Sequence, residues 1–137
     1  MSKIEGGCLC GSVRYECAAE PLMTAVCHCT HCQKQTGTSF SILVAVPQAD
    51  LNISGTTRAF QDTGDSGNPV ERHFCPDCGS PIYSRVTALP DRLFIKAGTL
   101  DDTSWLKPVA HIYCDSAQSW VDIASDVPQF AGAANRG

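Results

Sequence analysis

The sequence predicts a mainly β, single-domain fold organised around metal knuckles, and three observations lead there. Short stretches rich in β-branched and aromatic residues recur between Gly and Pro punctuation, the pattern of many short strands. One of them, residues 12–17, alternates strictly and puts Val13, Tyr15 and Cys17 on one face. Seven of the nine cysteines also fall into three clusters with metal-ligand spacing: Cys8 with Cys10; Cys27 with Cys29 and Cys32; Cys75 with Cys78.

Taken in order, Gly6 and Gly7 precede the first pair and supply the tight backbone conformations that a metal turn demands. Cys17 reads as a small core residue of the alternating strand rather than a ligand. After a turn at Glu20 and Pro21, residues 23–26 form a short strand that feeds the central cluster. Thr30 caps a short helix over 33–36, ended by Gly37, and the helix start favours the thiolate forms of Cys29 and Cys32. Residues 39–46 are a largely buried strand closed by Pro47. Residues 51–55 and 57–60 are short strands around a glycine turn. A polar loop over 62–69 is the expected rim of an active site. Residues 70–74 lead into the second knuckle, and 81–86 and 92–97 are further strands. A turn at 98–102, an edge strand at 108–113 and a helical turn at 116–120 follow. The domain is expected to span 1–130, with 131–137 a frayed tail.

Composition narrows the function classes. At 137 residues, with 43% hydrophobic and 18% charged, the chain fits one ordinary globular domain. No stretch approaches the roughly 20 apolar residues of a membrane span. Residues 1–7 lack a secretory signal, which gives a cytoplasmic expectation. A formal charge of −4 argues against nucleic acid and acidic membranes as general partners. In a reducing cytosol, nine cysteines point to metal rather than to disulfides. The sequence carries no signature of oligomeric state.

Four thiolates close a tetrahedral zinc site, whereas three leave a position open. Joining Cys8 and Cys10 to Cys75 and Cys78 gives a closed, structural site. Cys27, Cys29 and Cys32 then form an open site, for two zinc ions per chain. The alternative lends the central cluster a fourth sulfur from Cys10, Cys78 or Cys114 and leaves a broken pair elsewhere; Cys114 by itself reads as a buried, apolar-like residue. His28 and His31 lie inside the cluster as possible ligands or proton carriers, although residues between knuckle cysteines usually point away from the metal. His73 reads as an ordinary, partly buried histidine, and His111 lies on a strand. Asp62 and Asp65 are candidate acid–base carboxylates. Lys34, Arg72 and Lys96 are candidates for holding a substrate carboxylate, though each alone reads first as solvated surface charge. A zinc with three thiolates is a soft centre that suits a thiol, whose deprotonation there makes it nucleophilic towards an aldehyde.

Several stretches together resemble the glutathione-dependent formaldehyde-activating enzyme family, whose domain also occurs in centromere protein V. They are Gly7-Cys8-Leu9-Cys10-Gly11 with Val13-Arg14-Tyr15, then Cys27-His28-Cys29-Thr30-His31-Cys32 with Thr36-Gly37. Phe74-Cys75-Pro76-Asp77-Cys78-Gly79 and Lys96-Ala97-Gly98-Thr99-Leu100-Asp101 follow. Pro108, His111-Ile112, Trp120 and Pro128-Gln129-Phe130 also fit, so the resemblance covers nearly the whole chain. It implies coiled β-sheets similar to methionine sulfoxide reductase B and the same four-plus-three division of zinc ligands. It also implies a carbon–sulfur lyase activity, the formation of S-(hydroxymethyl)glutathione from glutathione and formaldehyde. Three functions are weighed: a zinc-dependent lyase acting on a thiol or aldehyde adduct, a non-enzymatic zinc-binding interaction module, and a redox or metal-handling protein. A cavity at the open site favours the first, an exposed apolar patch without a cavity the second.

Overall fold

The alternation read at residues 12–17 becomes strand β2 (Arg14–Cys17), which pairs antiparallel with β1 (Ile4–Gly7). Val13, Tyr15 and Cys17 are buried, as the period-2 pattern requires. This computed structural model describes residues 4–64, 67–124 and 126–133. Strands β3 (Met23–Cys27), β4 (Ser41–Pro47), β5 (Leu51–Ser54) and β6 (Arg58–Thr63) follow, with helix α1 (Thr30–Thr36) between β3 and β4. Then come β7 (Pro69–Phe74), β8 (Pro81–Val86), β9 (Arg92–Lys96) and β10 (Ala110–Ile112). The fold is mainly β, as expected.

Two sheets form. One has three strands in the order β1-β2-β5; the other has seven, in the order β10-β3-β4-β9-β8-β7-β6. All the pairings are antiparallel except β10 on β3, which is parallel. The strands at 51–54 and 58–63, expected to flank one glycine turn, belong to different sheets. Gly55 between them (φ 88°) releases the chain from one sheet to the other.

Register gives the large sheet two different faces. Val44 pairs with Ile95, and Ile95 with Tyr83; these turn towards the small sheet and pack with Ile4, Val13 and Tyr15 in the main core. The adjacent positions turn the other way. Met23, Ala45, Phe94, Ser84 and Arg72 stand opposite one another in sequence across five strands. One residue out of phase would exchange the faces. One face therefore builds the core and the other the candidate site.

The first strand was not expected, and its glycines act differently from the sequence reading. Gly6 lies in a strand, where an added Cβ would come 2.2 Å from the Thr99 carbonyl oxygen and 2.4 Å from the Tyr15 hydroxyl. Close approach, rather than positive φ, requires glycine there. The Tyr15 hydroxyl sits 2.7 Å from Thr99 Oγ1, and burial pushes its pKa up to about 12. Another correction concerns the helix cap. Cys29, not Thr30, is the N-cap, its sulfur accepting from the Cys32 N–H at 3.2 Å, while Gly37 (φ 73°) ends the helix as expected. The polar 62–69 loop is shorter than expected, since β6 runs to Thr63 and β7 starts at Pro69. Among the described residues, no helix is long and apolar enough to cross a membrane.

Candidate metal centres

The fold gathers the cysteines into the two groups that the arithmetic suggested. The turn after β1 carries Cys8 and Cys10, and the turn after β7 carries Cys75 and Cys78. Their sulfurs all lie within 4.8 Å of one another. Zinc–sulfur bonds of about 2.3 Å in a tetrahedron set sulfurs about 3.8 Å apart. Cys8 and Cys10 are at 3.6 Å, and Cys10 and Cys75 at 3.8 Å. The donor set therefore fits zinc. Ser12, which sequence reasoning passed over, places Oγ 3.1 Å from Cys10 and 3.2 Å from Cys75. The Val13 N–H donates to Cys8 Sγ at 3.2 Å. Burial opposes ionisation of Cys8, but that N–H and the neighbouring side chains bring its pKa down to about 7. The Ser80 hydroxyl and N–H bring Cys78 to about 5. Cys10 is pushed up instead: bonds from Ser12 favour its thiolate, but burial and the neighbouring Cys8 and Cys78 outweigh them. The fold thus favours the thiolate a metal needs at Cys8 and Cys78.

Cys27 at the end of β3, Cys29 at the helix cap and Cys32 in the first turn of α1 form the second group, all three buried. Neither Cys10 nor Cys78 joins them, and Cys114, half-buried beside β10, belongs to neither group among the described residues. Three sulfurs within 4.8 Å of one another could hold an ion and leave one position free.

Charge around this group overturns one sequence reading. Arg72 and Lys96 are 5% and 4% exposed, not solvated surface cations. Lys96 ends β9 beside Leu43, and its ammonium donates to Ser41 Oγ at 2.9 Å; Ser41 itself pairs with Cys27. Burial lowers the Lys96 pKa, against the pull of the thiolates. Arg72 Nη1 lies 3.9 Å from Cys32 Sγ, and its Nε donates to Asp62 Oδ2 at 2.8 Å. The same carboxylate oxygen meets His31 Nδ1 at 2.8 Å. Hydrogen bonds from the Cys27 and Cys29 thiols, with the charges of Lys96 and Arg72, hold the Cys32 thiol well below its usual pKa. Cys27 is pushed up in return by its two sulfur neighbours and by burial.

The remaining candidates separate clearly. His28 is fully buried, with Nε2 2.9 Å from His111 Nδ1 and its ring against Phe40, and joins neither sulfur group. Burial first, and then His111, lowers its pKa. His73 stacks on Tyr83 and bonds Thr57 and Glu71, an ordinary partly buried histidine as expected. Lys34 lines a cavity of about 460 Å³ with His31, Phe60 and Asp62. Asp65 lies outside the described residues. A separate cavity of about 300 Å³ opens beside Cys27, Cys29 and Cys32, and Arg72 lines both.

The sequence model described as glutathione-dependent formaldehyde-activating enzyme matches residues 3–116. The chain belongs to this family. Among family relatives, a Halomonas elongata protein provisionally given the family's enzyme name is 28% identical over 128 residues, covering 89% of this chain and 82% of its own. A Schizosaccharomyces pombe protein named an uncharacterized lyase is 26% identical over 132 residues, covering 96% and 88%. The fold resembles a crystal structure of a Rhodobacter sphaeroides protein, with TM-score 0.59 and 20% identity over 91% of this chain and 98% of that one. The matched span contains both sulfur groups, Arg72 and Lys96.

Proposed function

We propose that this chain is a zinc-dependent, carbon–sulfur lyase-type enzyme that joins a thiol to a small aldehyde, with Cys27, Cys29 and Cys32 at its reactive centre. Cys8, Cys10, Cys75 and Cys78 hold the structural zinc. One observation carries the reading: the three-sulfur group lines a cavity, whereas none of the four other sulfurs lines either cavity described. A non-enzymatic module has no need of that cavity. The names of the family and of the Halomonas relative, both containing glutathione and formaldehyde, support the same class of reactants.

When bound by the three thiolates, zinc supplies a Lewis acid with a free position that lowers the pKa of an incoming thiol. The chain's own residues do the rest. Arg72 faces the cavity, and Asp62 fixes its guanidinium through Nε. As the carbon–sulfur bond forms, the carbonyl electron pair moves to oxygen, and Arg72 stabilises that developing charge. The oxygen then takes a proton in place of the one the thiol released, so atoms and charge balance. Lys96 offsets the negative charge of the sulfurs from the β9 side. His31 acts through Asp62 and Arg72 as a positioning residue, and His28 braces the β3–β10 end of the site against His111. A reducing compartment such as the cytoplasm keeps the thiols available.

The test is adduct formation from thiol and formaldehyde by zinc-loaded protein purified under reducing conditions, compared with Cys29→Ser. Zinc should fall from about two to about one per chain while the rate drops at least about a hundredfold. A Cys29→Ser variant with full zinc or unchanged rate would reject the assignment.

A further inference from the structure

Ser84, on β8, stands directly opposite Arg72 on β7 and Phe94 on β9. Residues opposed in this way share a face, with Cβ atoms about 4.5–5.5 Å apart. Ser84 therefore lines the same cavity of about 300 Å³ as Cys27, Cys29 and Cys32. Apolar side chains such as Met23, Leu43 and Phe94 make up much of the remaining wall.

The Ser84 hydroxyl is the informative group. The residue is 5% exposed, yet its Oγ has no hydrogen-bond partner among the described residues. Such an atom costs stability, and nearly every buried hydroxyl in a folded protein is bonded. Asn68 and Tyr113 also line the cavity, and both are already engaged. An occupant that brings an oxygen to Ser84 satisfies its hydroxyl; one that brings none leaves it orphaned. Arg72 supplies a second donor at the same point. Its Nε is committed to Asp62 and its Nη1 lies 3.9 Å from Cys32 Sγ, which anchors the guanidinium beside the sulfurs. Sulfurs, guanidinium and hydroxyl thus adjoin one space.

Resting on the thiol–aldehyde reading above, we infer that Ser84 is a further catalytic residue: with Arg72 it forms the site for the aldehyde oxygen, its Oγ–H donating to that oxygen as charge develops there. When the carbon–sulfur bond forms, the carbonyl π pair moves onto oxygen and the proton of the thiol passes to water. Ser84 keeps its own proton throughout, and water returns one to the oxygen afterwards. A hydroxyl suits this task better than another cation. It rotates to follow the oxygen as the carbon changes from trigonal to tetrahedral. It also adds no charge to a site that already buries Arg72 and Lys96.

The experiment is steady-state kinetics of Ser84→Ala, zinc-loaded and full length, with glutathione and formaldehyde as probes and the uncatalysed rate subtracted. Melting temperature and zinc content are measured alongside. The variant should keep its zinc and melt no more than about 4 °C below the wild type, because the lost hydroxyl holds no bond within the fold. Its kcat should fall roughly a hundredfold while the KM for the thiol stays within about twofold, as for an interaction made in the transition state. A fall in kcat of less than about tenfold, or a loss confined to the thiol KM, overturns the inference and leaves the thiol–aldehyde reading standing. A larger loss of melting temperature, or a loss of zinc, makes the hydroxyl a structural group and likewise overturns it. No adduct from the wild type overturns both.

Discussion

Arg72 shows how much a single side chain can take on. It borders both cavities, approaches Cys32 and is neutralised by Asp62, whose side chain is 14% exposed. Removing one member of such a pair leaves a buried charge unmatched. Asp62→Ala should therefore cost roughly 3 kcal/mol in denaturant unfolding. The pH dependence has a defined sign. Burial raises the Asp62 pKa, but the hydrogen bonds from Arg72 and His31 outweigh it, and the net result lies below 3.8. The pair's stabilisation is thus complete above the unfolded carboxyl's pKa and drains away as pH falls through the lower folded value. Melting temperatures between pH 6 and pH 2.5 should show a shallower acid decline in Asp62→Asn than in the wild type. Cysteines differ in the same residue-by-residue way. On the proposed zinc assignment, Cys75→Ser should fail to fold, since a structural zinc would supply about 10–16 kcal/mol against a domain stability of about 5–15. Cys29→Ser should remain folded with one zinc fewer, and equal melting losses in the two would contradict the four-plus-three division.

At the scale of elements, local pattern and tertiary register separate what the sequence discloses from what it hides. The β2 alternation, the seven clustered cysteines and Gly37 were readable because spacing alone decides them. Arg72 and Lys96 were read first as surface charge because nothing local says which strand lies opposite. Their burial follows from the pairing of Arg72 with Ser84 and of Lys96 with Leu43, which only the assembled sheet defines. The apolar cavity was hidden for the same reason, since its lining comes from strands far apart in sequence. Strand β1 was missed because the two glycines ending it resemble a turn. Gly6→Ala tests the close contact at that strand: the added methyl meets backbone at Thr99, and about 2 kcal/mol should be lost. A measured change below about 0.5 kcal/mol would mean that the Gly6–Leu100 bridge can shift aside.

For the whole molecule, the four-sulfur group is the clasp between the two sheets, joining a turn beside β1 to one that leaves β7. The Cys10–Cys75 contact spans 65 positions of sequence. If both groups hold zinc as proposed, a strong chelator under reducing conditions should first empty the three-sulfur site with little change in melting temperature. Emptying the second site should then unfold the sheets in one transition, and two independent unfolding transitions would show that each sheet holds by itself. The large sheet has one further property, at its β10 margin. There the chain returns alongside: the His111 N–H donates to Pro128 O and the Phe130 N–H to His111 O, both at 2.9 Å, and the Tyr113 N–H reaches Gly132 O. Backbone groups that would otherwise be available to another copy are already engaged. The last described segment is in effect a stopper against polymerisation. A chain cut after residue 126 would carry a bare ledge of amides and carbonyls, and its hazard would be self-templated growth into fibres while both metal centres remained intact.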